Sequence, residues 1–329
     1  MTILLAIAKF AAISACIYLA IALGLIASQA PNHKFTAEGL KFPDRKRNPI
    51  KAPEASIYTA RDGAELAYRI FPSGVEDAPL LVFVHGSSAH GAPYAGFAQK
   101  LAQSGAADVL LPDLRGHGLN IKHGLDVAYI GQFEDDLADL IAQHKKPGQK
   151  VVIGGHSSGG GLAIRYAGGA HGADLDGAVL LAPFLKYNAP TLRPNSGGWA
   201  HVPLRRLIGL VMLNMAQIKV FNGLTAIQFN VPEKVKQSPT GRLMRDYYSF
   251  AMNTSYAPRN DYLSDIAKLP KFILVVGQQD EAFVADQYAP LMQGVTQKGR
   301  YEILPNVSHL AVTDEDITAL YVAEYLKGL

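Results

Sequence analysis

Cysteine is nearly absent from this chain, and so is an excess of charge of either sign. Cys16 is the single cysteine among 329 residues, which excludes a disulfide within the chain and a zinc site built from several cysteines. Lysine and arginine together number 31 and aspartate and glutamate 28, so the formal charge is only +3. This near balance argues against nucleic acid as the main partner.

The amino-acid composition is that of a globular protein. Hydrophobic residues make up 49% of the chain and charged residues 18%, which excludes a disordered chain, a collagen and a polytopic membrane protein. The same balance permits one large hydrophobic core. At this length an α/β protein often forms a single domain.

One long apolar run stands at the N-terminus. Residues 3–27 are interrupted only by Lys9 and Ser14, and the 18 residues from Phe10 to Ala27 carry no charge. A stretch of this length suffices for one membrane-spanning helix. The sequence therefore predicts that residues 1–30 form an uncleaved transmembrane anchor.

A cleaved signal peptide is the alternative interpretation of this run. Ser28-Gln29-Ala30 provides a small-residue cleavage site, but the run is longer than the roughly 7–15 apolar residues of a usual signal peptide. The tetrapeptide that ends at Cys16 loosely matches a lipoprotein processing site. A long apolar run follows that cysteine, however, which disfavours lipidation.

Basic residues and prolines follow the apolar run over residues 31–54, a composition typical of a solvated linker. By the positive-inside rule this cluster favours a cytoplasmic location for the domain that follows, whereas a cleaved signal would export it. The residues concerned are Lys34, Lys41, Arg45, Lys46, Arg47 and Lys51, with Pro43, Pro49 and Pro53.

From residue 55 onward, short apolar strands alternate with helical patterns, which predicts an α/β fold with a mostly parallel sheet. The rhythm stops over residues 186–268, so we predict one domain, 55–329, with a long insertion there. The expected strands cover 56–60 and 65–71 (a hairpin), 80–84, 109–111, 151–153, 178–181, 272–276 and 301–304, and the expected helices 97–101, 133–142, 162–167 and 316–326.

A nucleophile pattern follows the strand at 151–153. The chain runs directly into Gly155-His156-Ser157-Ser158-Gly159, which fits G-x-S-x-G. A serine on such a sharp strand-to-helix turn projects its hydroxyl away from the sheet. A phosphate-binding loop is disfavoured, because neither G-x-x-x-x-G-K-[ST] nor G-x-G-x-x-G is present. Ser157 is therefore the predicted nucleophile.

A serine hydroxyl is a weak nucleophile and needs a base that is itself oriented by a carboxylate. His309 is the only histidine after His201 and follows the strand at 301–304. Asp280 leaves the strand at 272–276 after a glycine turn, and we predict it as the acid. Glu281 is its nearest competitor, interpreted as a solvated neighbour, and Asp286 is the next.

Backbone groups are expected to stabilise the oxyanion. The strand at 80–84 ends in His85-Gly86, where a loop can aim a backbone N–H at the reacting carbonyl. The predicted donors are the N–H groups of Ser87 and Ser158. We identify no carboxylate or histidine partners that would make His85 and His90 metal ligands, so no metal or other cofactor is predicted.

These residues together resemble the α/β-hydrolase superfamily, and within it the branch of monoacylglycerol lipases and lysophospholipase-like serine hydrolases. The resemblance covers residues 55–329 and implies that residues 186–268 form a helical cap inserted over the active site. It rests on the following motifs, in the family's order: His85-Gly86, Asp113-Leu114-Arg115-Gly116-His117-Gly118, Gly155-His156-Ser157-Ser158-Gly159, Gly277-Gln278-Gln279-Asp280, and His309.

Two further sequence features are a glycine-containing turn and an apolar helical pattern. The turn from Asp113 to Gly118 is interpreted as structural. Apolar residues at helical spacing from Leu204 to Met215 predict a helix, which either packs on the core or forms a wall for an acyl chain.

The resulting hypothesis is a membrane-anchored serine hydrolase that cleaves carboxylic esters, of lipid or acylglycerol type, through an acyl-enzyme. An acyltransferase with the same three residues and a non-catalytic binding protein on the same fold are the alternatives. Dehalogenase and epoxide hydrolase chemistry on this fold is disfavoured, because it uses a carboxylate nucleophile and position 157 is a serine.

Overall fold

The computed structural model describes residues 2–36, 39–42, 52–123 and 126–329. Most of the basic stretch of the predicted linker, including Arg45, Lys46, Arg47 and Lys51, lies outside the described residues. The linker assignment and the domain boundaries stay predictions.

Eleven strands form two sheets in the described part of the chain. They are β1 Ser56–Thr59, β2 Glu65–Phe71, β3 Leu80–Val84, β4 Asp108–Pro112, β5 Val151–His156, β6 Gly177–Leu181, β7 Ala200–His201, β8 Thr225–Phe229, β9 Tyr247–Ser249, β10 Lys271–Gly277 and β11 Gly299–Leu304.

Ten α-helices accompany them within the same residues. They are α1 Thr2–Ala27, α2 Ala95–Gln103, α3 Gln132–His144, α4 Ser158–Gly168, α5 Leu204–Met215, α6 Glu233–Lys236, α7 Phe250–Tyr256, α8 Tyr262–Lys268, α9 Tyr288–Gln293 and α10 Asp316–Lys327.

The main sheet has the strand order β1-β2-β4-β3-β5-β6-β10-β11. The β1–β2 and β2–β4 pairs are antiparallel, and the other five adjacent pairs of this sheet are parallel. Every residue of β3, β5 and β6 is buried, as expected for strands with both faces covered. The predicted α/β architecture is confirmed, and each predicted strand is present, most of them one to three residues longer.

The insertion between β6 and β10 is not purely helical, which corrects the expectation of a helical cap. Alongside α5, α6, α7 and α8 it contains a three-stranded antiparallel sheet in the order β7-β8-β9. The aromatic and β-branched residues of β8 and β9 suit a sheet, but both strands are too short to show a clear alternation in the sequence. We call residues 186–268 the cap from here on.

Helix α5 packs against α1. The sequence had predicted that this helix packs on the core or forms a wall for an acyl chain, and it had not predicted this contact. Ala22 and Ile26 of α1 lie in one buried cluster with Leu210 and Leu213 of α5, apart from the main core. The hydroxyl of Tyr18 donates a hydrogen bond to the carbonyl of Met212 at 2.8 Å. The last turns of the N-terminal helix are therefore attached to the cap.

Gly209 permits the close approach of these two helices. A Cβ added there would lie 2.4 Å from the carbonyl oxygen of Ala22 and 2.8 Å from a side-chain carbon of Ile26. Because one of these atoms belongs to a helix backbone, it cannot yield by a rotamer change. Only glycine fits at this crossing.

We predict that Gly209→Leu destabilises the contact between α1 and α5. Overpacking of this kind costs about 1–3 kcal/mol, and it would lower the thermal unfolding midpoint of the full chain in detergent. The matched control is Gly24→Leu, because a Cβ at Gly24 meets no atom within 4 Å. Equal midpoints for the two variants would contradict the assignment.

Candidate active site

Ser157 lies on a strained turn between β5 and α4. Its backbone has φ 56° and ψ −121°, a conformation that residues other than glycine rarely adopt and that is typical of functional turns. A Cβ at Gly155 would lie 2.3 Å from the backbone carbon of Gly159, and one at Gly159 would lie 2.3 Å from the carbonyl oxygen of His85. The glycines on both sides of the serine are thus required by backbone packing.

His309 and Asp280 form a buried pair. The imidazole Nδ1 lies 2.7 Å from Oδ2 of the carboxylate, and each residue is only 1% exposed. The other carboxylate oxygen, Oδ1, accepts the backbone N–H groups of Ala282 and Phe283, both at 2.8 Å. Because a carboxylate accepts hydrogen bonds, Nδ1 carries a hydrogen, and in the neutral form of the ring the lone pair is on Nε2.

The sheet brings these residues to one edge. Ser157, Asp280 and His309 follow the carboxyl ends of β5, β10 and β11, which run parallel within one sheet. His156, the neighbour of Ser157, is within hydrogen-bonding distance of His309, with its Nε2 3.0 Å from the carbonyl oxygen. Ser157 itself is only 7% exposed, so little of this residue is open to solvent.

The loop after β3 lies against Ser157. A Cβ added at Gly86 would lie 3.3 Å from the Cβ of Ser157. The N–H of Gly86 donates to the hydroxyl of Tyr94 at 2.9 Å, and the N–H of Ser88 donates to the hydroxyl of Tyr248 at 2.5 Å. Among the described residues, no hydrogen bond is present to the N–H groups of Ser87 or Ser158. These two groups remain available as donors.

The family of this chain follows from its match to a known protein-family model. A family model described as serine aminopeptidase S33 (Hydrolase_4) matches residues 76–316. The chain belongs to this hydrolase family. Its fold is that of the α/β-hydrolases, as the motifs predicted.

Curated relatives of this chain match over part of their length. An uncharacterised protein of Mycobacterium tuberculosis is 33% identical over 128 residues, which are 38% of this chain and 35% of that protein. A monoacylglycerol lipase of Mycolicibacterium smegmatis is 27% identical over 123 residues, 37% of this chain and 43% of the lipase. The chain thus matches less than half the length of these relatives.

Solved structures are similar over most of the chain. A soluble variant of monoglyceride lipase from Saccharomyces cerevisiae gives a TM-score of 0.63 at 17% identity, over 87% of this chain and 97% of the lipase. A membrane phospholipase A gives 0.56 at 18% identity, over 100% of this chain and 99% of that one. At these identities the likeness shows the fold.

Glu281 is not the solvated neighbour that the sequence suggested. Its Oε2 accepts the backbone N–H of His309 at 2.9 Å, and its Oε1 is buried without a partner among the described residues. Asp286, the other competitor, is exposed. Glu281 therefore holds the histidine loop, a role that no local sequence signal distinguishes from simple solvation.

Buried polar side chains surround the turn from Asp113 to Gly118. The carboxylate of Asp113 accepts the N–H groups of Gly91 and Leu119 at 2.8 and 3.0 Å and pairs with Arg69 at 3.1 Å. These contacts agree with the structural interpretation of the motif. Within the described ranges, no group of three or more His, Cys, Asp or Glu side chains is arranged to hold a metal ion.

His85 is completely buried beneath the loop after β3, and burial lowers its pKa to about 4. The unfolded chain binds a proton at this histidine below about pH 6.5, whereas the folded chain does not until about pH 4. Protonation therefore favours the unfolded chain between these two values.

We predict that this histidine makes the free energy of unfolding fall by on the order of 3 kcal/mol as the pH drops from 6.5 to 4. Denaturant titrations at pH 7.5, 6.5, 5.5 and 4.5 measure the slope, and a folded His85→Gln variant should show a shallower one. NMR titration showing that His85 is protonated near pH 6.5 in the folded protein would contradict the prediction.

Proposed function

We propose that this protein is a serine hydrolase that cleaves carboxylic esters, of lipid or acylglycerol type, through an acyl-enzyme. The observation that carries the proposal is the buried contact of 2.7 Å between His309 and Asp280, at the sheet edge where Ser157 lies on a strained turn. A histidine held in one tautomer beside a serine of this geometry is the arrangement that nucleophilic catalysis requires.

In the first step, the Ser157 hydroxyl attacks the ester carbonyl and Nε2 of His309 takes its proton. Asp280 orients the imidazole and stabilises its positive charge. The carbonyl oxygen becomes an oxyanion, which accepts hydrogen bonds from the N–H groups of Ser87 and Ser158. Because Ser158 is the first residue of α4, the helix dipole also favours this negative charge.

The proton on His309 then passes to the departing alcohol, which leaves an acyl group on Ser157. Water attacks this acyl-enzyme while His309 accepts its proton, and the fatty or other carboxylic acid departs as Ser157 regains its hydrogen. The proposed cycle uses these side chains, the two backbone N–H groups that bind the oxyanion, and water.

Aromatic side chains beside the reacting groups favour an apolar acyl chain. The ring of Phe283 lies 5.1 Å from the ring of His309, centroid to centroid, and the backbone N–H of Phe184 donates to the carbonyl of Ser157 at 2.9 Å. The two phenylalanine rings lie 6.4 Å apart. The monoacylglycerol lipase among the relatives supports the same substrate class.

We test the proposal by labelling the full chain with a fluorophosphonate and mapping the modified residue. We expect a label on Ser157 that disappears in Ser157→Ala and His309→Ala. Ser158→Ala is the matched control and should still be labelled, because its backbone N–H is retained. Absence of labelling in a folded sample would favour a binding protein over an enzyme.

The same labelling experiment tests whether Asp280 or the exposed Asp286 is the acid that orients His309. Asp280→Asn should slow labelling by about 10³- to 10⁴-fold, because the amide favours the wrong tautomer of His309. Asp286→Asn should leave the rate unchanged. Esters of graded chain length, amino-acid arylamides and a competing alcohol acceptor then distinguish esterase, aminopeptidase and acyltransferase activity by their products.

The N-terminal helix is part of this proposal, as an uncleaved membrane anchor. Its 26 residues are long and apolar enough to cross a membrane. Cleavage after Ala30 would remove the helix that covers Leu210, Leu213 and Phe250 of the cap. Helix α5, which packs on α1, also exposes four apolar side chains: Leu204, Ile208, Val211 and Met215.

We expect the protein to stay in the membrane fraction after alkaline carbonate extraction, with peptides from residues 2–30 still present. The double substitution Ile13→Lys and Ile17→Lys places charges on the exposed part of α1 and should release it. Protection from protease added to intact cells would agree with a cytoplasmic domain. A mature chain that begins at Pro31 would contradict the anchor.

A further inference from the structure

The cap is hydrogen-bonded to the loop that carries the proposed oxyanion donor, the N–H of Ser87. We call residues 86–90 the oxyanion loop. Four of its groups are hydrogen-bonded to cap residues that lie more than 100 positions later in the chain. These bonds join Ser87 Oγ to Trp199 Nε1 (3.0 Å), Ser88 N to the Tyr248 hydroxyl (2.5 Å), Ser88 O to Arg245 N (3.1 Å), and His90 Nε2 to Thr240 O (3.1 Å).

The direction of the bond at Tyr248 follows from its other partner, His117. Nδ1 of this imidazole lies 3.0 Å from the carbonyl oxygen of Arg115, which can only accept, so Nδ1 carries the hydrogen. Burial lowers the pKa of His117 well below its usual value, so the ring is neutral. Its Nε2, 2.7 Å from the Tyr248 hydroxyl, is therefore an acceptor.

Tyr248 consequently donates its hydrogen to His117 and accepts the N–H of Ser88. Both side chains are almost completely buried, so water does not substitute for either bond. This chain of bonds fixes the hydroxyl oxygen at one position. It presents a rigid acceptor to the oxyanion loop.

The peptide groups on both sides of Ser87 are held in this way. Gly86 donates to Tyr94 and Ser88 donates to Tyr248. Ser88 also has φ 66°, which a residue other than glycine keeps only when its surroundings impose it. With both neighbours fixed, the N–H of Ser87 has a defined direction beside Ser157.

We propose that the cap positions the oxyanion hole, with Tyr248 and Trp199 as its positioning residues. This inference rests on the serine hydrolase function proposed above. The hole is complete only while the cap lies on the oxyanion loop. Since negative charge develops on the carbonyl oxygen in the transition state, loss of this support slows the chemical step more than it weakens substrate binding.

Tyr248→Phe tests the proposal in the full-length protein. It keeps the ring and removes the acceptor of the Ser88 N–H, so we expect kcat for an ester to fall about 10- to 100-fold with KM nearly unchanged. A trifluoromethyl ketone, which binds serine hydrolases as a hemiketal oxyanion, should show a rise in its inhibition constant of similar size.

Tyr325→Phe is the matched control. The Tyr325 hydroxyl also makes two hydrogen bonds, to the carbonyl of Lys271 at 2.7 Å and from the N–H of Ala178 at 3.1 Å, but at the opposite end of the strands. Its removal should change stability and leave kcat and the inhibition constant as they are. A structural effect alone would move both tyrosine variants alike.

If Tyr248→Phe does not fold, Trp199→Phe tests the same proposal. It removes the donor to Ser87 Oγ and should also lower kcat with little change in KM. Wild-type kcat in a folded Tyr248→Phe variant, or in Trp199→Phe when that is the variant used, would overturn the inference. Failure of the wild-type protein to react with the fluorophosphonate would instead reject the proposed function.

Discussion

The site depends on the close backbone approach between β5, α4 and the end of β3. The chain reverses at Ser157, and Gly159 then packs directly against the backbone carbonyl of His85. No side chain fits at Gly155 or Gly159. This packing forces the serine into a positive φ and presents its hydroxyl at the edge of the sheet. It also sets the distance between the serine and the loop that follows β3.

Around this turn, groups from four separate parts of the chain are held by buried hydrogen bonds. Asp280 and Glu281 fix the side chain and the backbone of His309. Two tyrosines, Tyr94 and Tyr248, fix the loop at Gly86 and Ser88. The bonds to Asp280, Tyr94 and Tyr248 are fully buried and the one to Glu281 is partly buried. Because buried hydrogen bonds are costly to break, they favour a single geometry.

The cap connects this site to the N-terminal helix. Tyr248 contacts the oxyanion loop, and Phe250, two residues later, lies in the cluster formed by α1 and α5. One short segment of the cap thus touches both the oxyanion loop and the helix that we propose as a membrane anchor.

The sequence by itself determined the α/β class, each strand of the main sheet, the turn at Ser157 and the apolar N-terminal helix, because these patterns lie in contiguous residues. It also predicted strands just before Asp280 and His309, and the structure has β10 and β11 there. Only the tertiary structure decided that the cap contains a sheet, that α5 packs on α1 and that Glu281 accepts the backbone N–H of His309. It alone joined Tyr248 to Ser88, because such contacts link residues far apart in the chain and depend on how whole elements pack.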